Sequence, residues 1–207
     1  MICPVEAKYC YHTMFHIDEK FPDFSLEAYH PGKGDVGTLR LEQFTGRWTV
    51  LVFYPADFTF VCPTELADMQ KLYGEFQKLN AEVIGVSTDT VFTHKAWIDS
   101  EGLLKGLAYP MAADHNGRLS RELGIYDEEK GMAQRATFVL DPEGVLRTAD
   151  LVSDAIGRSA REILRRLKAL VFVANNPGKV CPASWDEGAP TLQPSIQNAG
   201  KVFQELQ

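Results

Sequence analysis

Residues 49–54, Thr49-Val50-Leu51-Val52-Phe53-Tyr54, form a β-branched, apolar and aromatic run closed by Pro55, and this stretch decides the fold. Such a run, with no polar residue alternating through it, suits a strand covered on both faces of a sheet. Directly downstream, Leu66, Met69, Leu72, Tyr73, Phe76 and Leu79 recur at three- and four-residue spacing, which predicts a helix over 64–80 with one apolar stripe. A doubly covered strand followed by a one-sided helix is a building unit of an α/β sandwich.

The pattern continues outward from there. Residues 81–86 resemble a second strand, 93–98 a short helix, 118–123 a helical turn, and 136–140 a strand closed by Asp141-Pro142-Glu143-Gly144. That turn signal predicts that 145–152 pairs back as a hairpin. Residues 159–173 carry Ile163, Leu164, Leu167, Leu170 and Val171 on one face and stop before Asn175-Asn176-Pro177-Gly178, which predicts the longest helix. Upstream, the only marked loop is His30-Pro31-Gly32-Lys33-Gly34-Asp35-Val36-Gly37. The expectation is an α/β fold with a mixed central sheet flanked by helices. After Gly178 the periodicity fades and Pro182, Pro190 and Pro194 appear, so the tail reads as an arm lying on the domain or on a partner subunit. The chain therefore divides into an extension at 1–16, a domain at 17–177 and an arm at 178–207.

Composition narrows the function. A chain of 207 residues, 45% hydrophobic and 24% charged, suits one core. Twenty-one Lys and Arg against 28 Asp and Glu leave a net charge of −7, so the chain as a whole is repelled by nucleic acid and anionic lipid and neither is expected as a partner. No stretch approaches the roughly 18–20 apolar residues of a membrane span. The first 20 residues lack the basic and apolar regions of a secretory signal, so a soluble cytoplasmic protein is expected. Four cysteines, Cys3, Cys10, Cys62 and Cys181, are too few for a disulfide scaffold in a chain this long.

Cys62 carries the chemistry. The segment 53–65 leaves a buried strand, turns and enters a helix, and Pro63 favours a first helical position because its missing N–H is not needed there. Cys62 then stands at a helix N-terminus, where free N–H groups and the positive end of the dipole stabilise a thiolate, the nucleophilic form. Thr59 can place a hydroxyl near the sulfur, and Pro55 fixes the turn and screens one side from water. Such a site suits attack on a small, weakly polar electrophile. A buried cysteine that merely packs is the competing reading, and the residues alone do not separate the two. Elsewhere, Cys3 and Cys10 with His12 and His16 match no zinc spacing and read as a surface extension. His94 has no thiol or carboxylate partner nearby in sequence and reads as a structural histidine. Gly85 and Gly144 read as close-packing or turn glycines, and no glycine cluster has phosphate-binding spacing.

The segment Pro55-Ala56-Asp57-Phe58-Thr59-Phe60-Val61-Cys62-Pro63-Thr64-Glu65 resembles the peroxidatic loop of the peroxiredoxins, with Pro55, Thr59 and Cys62 at the signature positions. Residues 83–89, 92–97, 135–138 and 178–183 resemble, in the same order, the alkyl hydroperoxide reductase C branch of typical 2-Cys peroxiredoxins, over about residues 17–195. The resemblance implies a thioredoxin-like fold and a thiol-dependent peroxidase acting on hydrogen peroxide and organic hydroperoxides without metal, haem or flavin. It implies Cys62 as the peroxidatic and Cys181 as the resolving cysteine, with Thr59 and Arg135 binding the peroxide oxygens and Pro55 shaping the pocket. Glu65 would orient the arginines. It further implies a homodimer, extended to a pentamer of dimers, with a disulfide between subunits that a dithiol protein reduces, either a flavoprotein disulfide reductase or thioredoxin. A ring-forming holdase chaperone or redox-signalling adaptor is the alternative. A thioredoxin-like disulfide oxidoreductase is disfavoured, since Cys62-Pro63-Thr64-Glu65 lacks the second cysteine of a C-x-x-C pair.

Overall fold

The computed structural model describes residues 15–205, so the readings of Cys3, Cys10 and His12 lie outside the described residues. The strands and helices run β1 (Ser25–His30), β2 (Asp35–Arg40), β3 (Trp48–Phe53), α1 (Cys62–Lys78), β4 (Ala81–Ser87), α2 (Val91–Ser100) and β5 (Met111–Ala113). They continue with α3 (Arg118–Glu122), β6 (Tyr126–Asp127), β7 (Met132–Ala133), β8 (Arg135–Leu140), β9 (Leu146–Val152), α4 (Ala160–Asn175) and α5 (Val202–Glu205). Among the described residues no helix is long and apolar enough to cross a membrane.

One seven-stranded sheet runs β2-β1-β5-β4-β3-β8-β9. The pairs β3/β4 and β4/β5 are parallel, while β3/β8, β8/β9, β1/β5 and β1/β2 are antiparallel, so the sheet is mixed as expected. Every residue of β3 is buried, and its two faces feed different cores. Val50 and Val52 pack with Leu66, Met69 and Phe76 of α1 and with Ile163, Leu164 and Leu167 of α4. Leu51 and Phe53 pack with Phe21, Phe24, Leu119 and Phe138 on the other side. An all-apolar strand is thus required because water reaches neither face.

Local signals explain most boundaries. The Asp141 carboxylate accepts from the N–H groups of Glu143 and Val145, and Gly144 takes φ 75°, which closes the β8–β9 hairpin. Ser159 caps α4 by accepting from the Glu162 N–H, and Thr90 caps α2 by accepting from Thr93. Gly85 is a close-packing glycine: a Cβ there would lie 2.6 Å from the sulfur of the fully buried Met111. Three elements differ from expectation. The segment 30–37 is only partly a loop, since β1 and β2 pair directly across a turn held by Lys33 and Gly34 N–H bonds to the His30 carbonyl. The strand β5 and the β6–β7 pair, of three and two residues per strand, are too short to leave a periodic signal. The helix at 64–80 starts earlier, at Cys62, and ends at Lys78.

Candidate active site

The sheet's centre delivers the site. β3 ends at Phe53, the buried Pro55 turns the chain, and α1 opens with Cys62 itself, whose exposure is 0%. No side chain caps this helix. Within its first turn, Pro63 has no N–H and that of Thr64 donates to the Val61 carbonyl at 3.0 Å, so neither amide is open to an anion. The charge beside the sulfur comes instead from a side chain. Arg135, the first residue of β8, brings Nη1 to 3.3 Å from the Cys62 Sγ. Strand pairing makes this contact: β8 runs antiparallel beside β3, which places its first residue at the end of β3 from which the Cys62 loop departs.

Arg135 is held from two sides. Its Nη1 also donates to Glu65 Oε2 at 2.6 Å, and its Nε donates to the Asp154 carbonyl at 3.0 Å. Burial opposes its charge, but the Cys62 sulfur and the Glu65 carboxylate outweigh that effect and keep the guanidinium protonated. Glu65 is 3% exposed. Arg158 completes it: the Arg158 backbone N–H and Nε each donate to Oε1 at 2.8 Å, and Nη2 donates to Oε2 at 3.0 Å. Burial pushes the Glu65 carboxyl up, yet the hydrogen bonds and charge of Arg158, followed by the charge of Arg135, hold it below the ordinary value. The remaining Arg158 Nη1 donates to the Ala136 carbonyl at 2.7 Å and to Thr137 Oγ1 at 3.1 Å. Two guanidiniums around one carboxylate leave a net positive charge against the thiol, with geometry fixed by charge-assisted bonds.

The other residues singled out from sequence are placed as follows. The Thr59 hydroxyl donates to the Ala56 carbonyl at 2.8 Å, so its proton is committed to its own turn and its oxygen keeps acceptor capacity. His94 finds in space the carboxylate partner it lacks nearby in sequence: its Nδ1 lies 2.8 Å from Asp57 Oδ2, a contact hidden by 37 positions of separation. Arg158 escaped the sequence reading altogether, since no local pattern ties it to Glu65, 93 positions earlier. Cys181 is not beside Cys62, and both thiols are free. It sits half-buried on the arm with its Sγ 3.8 Å from the Ala169 carbonyl of α4. Burial pushes its thiol up, and Arg165 offsets part of the effect. The buried Trp185 stacks on Phe172 with ring centroids 5.0 Å apart, and its carbonyl accepts from Arg165 at 2.8 Å, so the arm is docked on α4 of its own chain. Among the described residues no group of three or more His, Cys, Asp or Glu side chains is placed to hold a metal ion.

A buried thiol met by a braced guanidinium at a strand-to-helix junction is the arrangement of a cysteine-dependent enzyme. Comparison with known proteins narrows the class. The AhpC/TSA family model matches residues 17–149. Alkyl hydroperoxide reductase C of Staphylococcus epidermidis is 44% identical over 186 residues, 90% of this chain and 98% of that protein. The same protein of Staphylococcus aureus is equally similar, at 44% over 186 residues. Among solved structures, Enterococcus faecalis AhpC is 46% identical with a TM-score of 0.76, covering 80% of this chain and 98% of its own. The reduced 2-Cys peroxiredoxin of Plasmodium vivax is 30% identical with a TM-score of 0.87, covering 92% and 99%. The chain belongs to the AhpC/TSA family. Its α/β fold is thioredoxin-like, and it is a thiol-dependent peroxidase; the comparisons do not favour the holdase or adaptor alternative.

Proposed function

We propose that Cys62 is the peroxidatic cysteine, and the observation that carries this reading is the 3.3 Å contact from Arg135 Nη1 to its sulfur, braced by Glu65 and Arg158. The Cys62 thiolate attacks one oxygen of hydrogen peroxide or an organic hydroperoxide, the O–O bond breaks, and the departing oxygen takes a proton to leave as water or an alcohol. Cys62 is left as sulfenic acid. Negative charge builds on the departing oxygen during this step, and the Arg135 guanidinium meets it. Thr59 Oγ1 accepts a hydrogen bond from the peroxide, and Pro55 walls the pocket.

In the second step the Cys181 sulfur attacks the sulfenic sulfur, an S–S bond forms and water leaves. Because Cys62 is closed in the first turn of α1 and Cys181 is docked on α4 of its own chain, both segments open first. The resemblance to typical 2-Cys peroxiredoxins implies that the attacking thiol comes from the partner of a homodimer. The unit at 17–177 supplies the pocket, and the arm at 178–207 reaches across. A dithiol protein, a flavoprotein disulfide reductase or thioredoxin, then returns both thiols, which a reducing cytoplasm sustains. Dimers join into a pentamer of dimers. Non-reducing electrophoresis and peptide mapping test the assignment: oxidised protein runs as a dimer linked Cys62 to Cys181, and Cys181→Ser removes that band. A Cys62–Cys181 bond within one chain would refute the exchange between subunits, and sedimentation showing only dimers of the reduced protein would refute the ring.

A further inference from the structure

Beneath the loop that leads to Cys62 lies a polar cluster with no part in the chemistry just described. The side chains of His94 and Asp57 are both 0% exposed and meet at 2.8 Å. The second Asp57 carboxylate oxygen accepts from the Tyr54 hydroxyl at 2.7 Å, while His94 Nε2 lies 3.3 Å from the Ala112 carbonyl. The Asp57 backbone N–H donates to Asp89 Oδ2 at 2.8 Å, and Ser87 Oγ donates to the same oxygen. Burying this many polar groups costs stability unless each is satisfied, and once satisfied they fix one conformation of whatever carries them.

What they fix is the loop. Phe58, next to Asp57, takes φ 56°, a left-handed conformation that a residue with a side chain holds only where its surroundings demand it. Its ring lies against Trp97, centroids 6.2 Å apart, although Phe58 itself is 58% exposed. His94 and Trp97 stand one turn apart on α2, both buried, so a single helix face grips two consecutive loop residues. The gripped segment then runs through Thr59 to Cys62. Taking the reading of Cys62 as peroxidatic, we infer that His94 is a positioning residue for peroxide reduction: through Asp57 it latches the 55–61 loop in the closed form that presents Thr59 and Cys62 to peroxide. The same latch sets how readily the loop opens for Cys181.

The test separates the two half-reactions. His94→Leu removes the hydrogen-bonding ring at similar bulk, and His94→Asn retains an amide donor towards Asp57. Rapid mixing with hydrogen peroxide reads the rate of Cys62 oxidation and the later rate of disulfide formation from tryptophan fluorescence, with folding checked by circular dichroism. His94→Leu is expected to slow oxidation about tenfold or more without slowing disulfide formation, and His94→Asn to return oxidation to within roughly threefold of the parent. A folded His94→Leu protein that oxidises at the parent rate, or that slows in both steps in proportion, overturns the inference. Should His94→Leu fail to fold, Asp57→Asn, which keeps the shape and removes the charge, goes through the same two readings with the same criteria. Peroxide consumption surviving in Cys62→Ser would instead refute the reading of the site, whatever His94 does.

Discussion

The two described cysteines occupy opposite kinds of surroundings. Cys62 is buried in the first turn of α1, touched by an arginine that is itself buried, ion-paired and hydrogen-bonded to the backbone. Cys181 lies half-exposed on a proline-rich arm, with a carbonyl 3.8 Å away and the segment held down by the Phe172–Trp185 ring contact and the Arg165 bond to the Trp185 carbonyl. The contrast separates two demands: stabilising charge on a departing oxygen rewards preorganised donors, whereas reaching a second sulfur rewards a segment that lets go. Substitutions around Cys62 should therefore cost stability or rate, and those around Cys181 should change little except mobility and timing.

The harshest way to break the contrast is Glu65→Ala, which leaves Arg135 and Arg158 buried without their carboxylate. Losing one member of a buried ion-paired group costs about 3–5 kcal/mol, so the denaturation midpoint should fall steeply, while Cys181→Ser stays within about 0.5 kcal/mol of the parent. Next in size, Arg135→Ala should slow the first oxidation by about 10²-fold in stopped-flow mixing, the scale seen when one oxyanion donor is removed.

Acid sharpens the same comparison. The Glu65 carboxyl is held below its ordinary value when folded, so its stabilising contribution is complete above the ordinary value of about 4.3 and drains as pH falls through the lower folded value. Acid unfolding followed by tryptophan fluorescence below about pH 4 should be steeper for the parent than for Glu65→Gln. At the other cysteine, burial raises the thiol, so alkylation of Cys181 in a Cys62→Ser background should reach half its limiting rate above the ordinary cysteine value of about 8.5, and Arg165→Ala should push it higher still. Smallest of all, Trp185→Ala should expose the arm to proteases at 178–190 a few-fold more readily while the first oxidation keeps its rate.

The central strand and its helix were legible because two-sided burial and a 3.6-residue stripe are local signals, and residues 49–54 and 64–80 carry both in full. The hairpin β1–β2 was not, since its two six-residue strands are mostly exposed or half-buried and carry no clean alternation, and neither was β5, whose three residues are too few to show a period. In the site, the helix-start position of Cys62 followed from Pro63 and the strand before it, and the candidate role of Arg135 from resemblance. Its burial and its contact with sulfur depend on β8 pairing with β3, which no local pattern encodes. The same holds for Arg158, separated from Glu65 by 93 positions, and for the Asp57–His94 contact. Beside the sulfur stands a side-chain guanidinium not foreseen from the helix start, while Pro63 and Thr64 have no N–H to spare.

The most direct measurement is a single turnover of reduced Cys181→Ser protein with one equivalent of hydrogen peroxide, read by intact mass and peptide mapping within seconds. The account predicts one added oxygen, located on Cys62, formed about 10²-fold more slowly in Arg135→Ala and absent in Cys62→Ser. An unmodified Cys62 beside consumed peroxide, or an unchanged rate in Arg135→Ala, would contradict it.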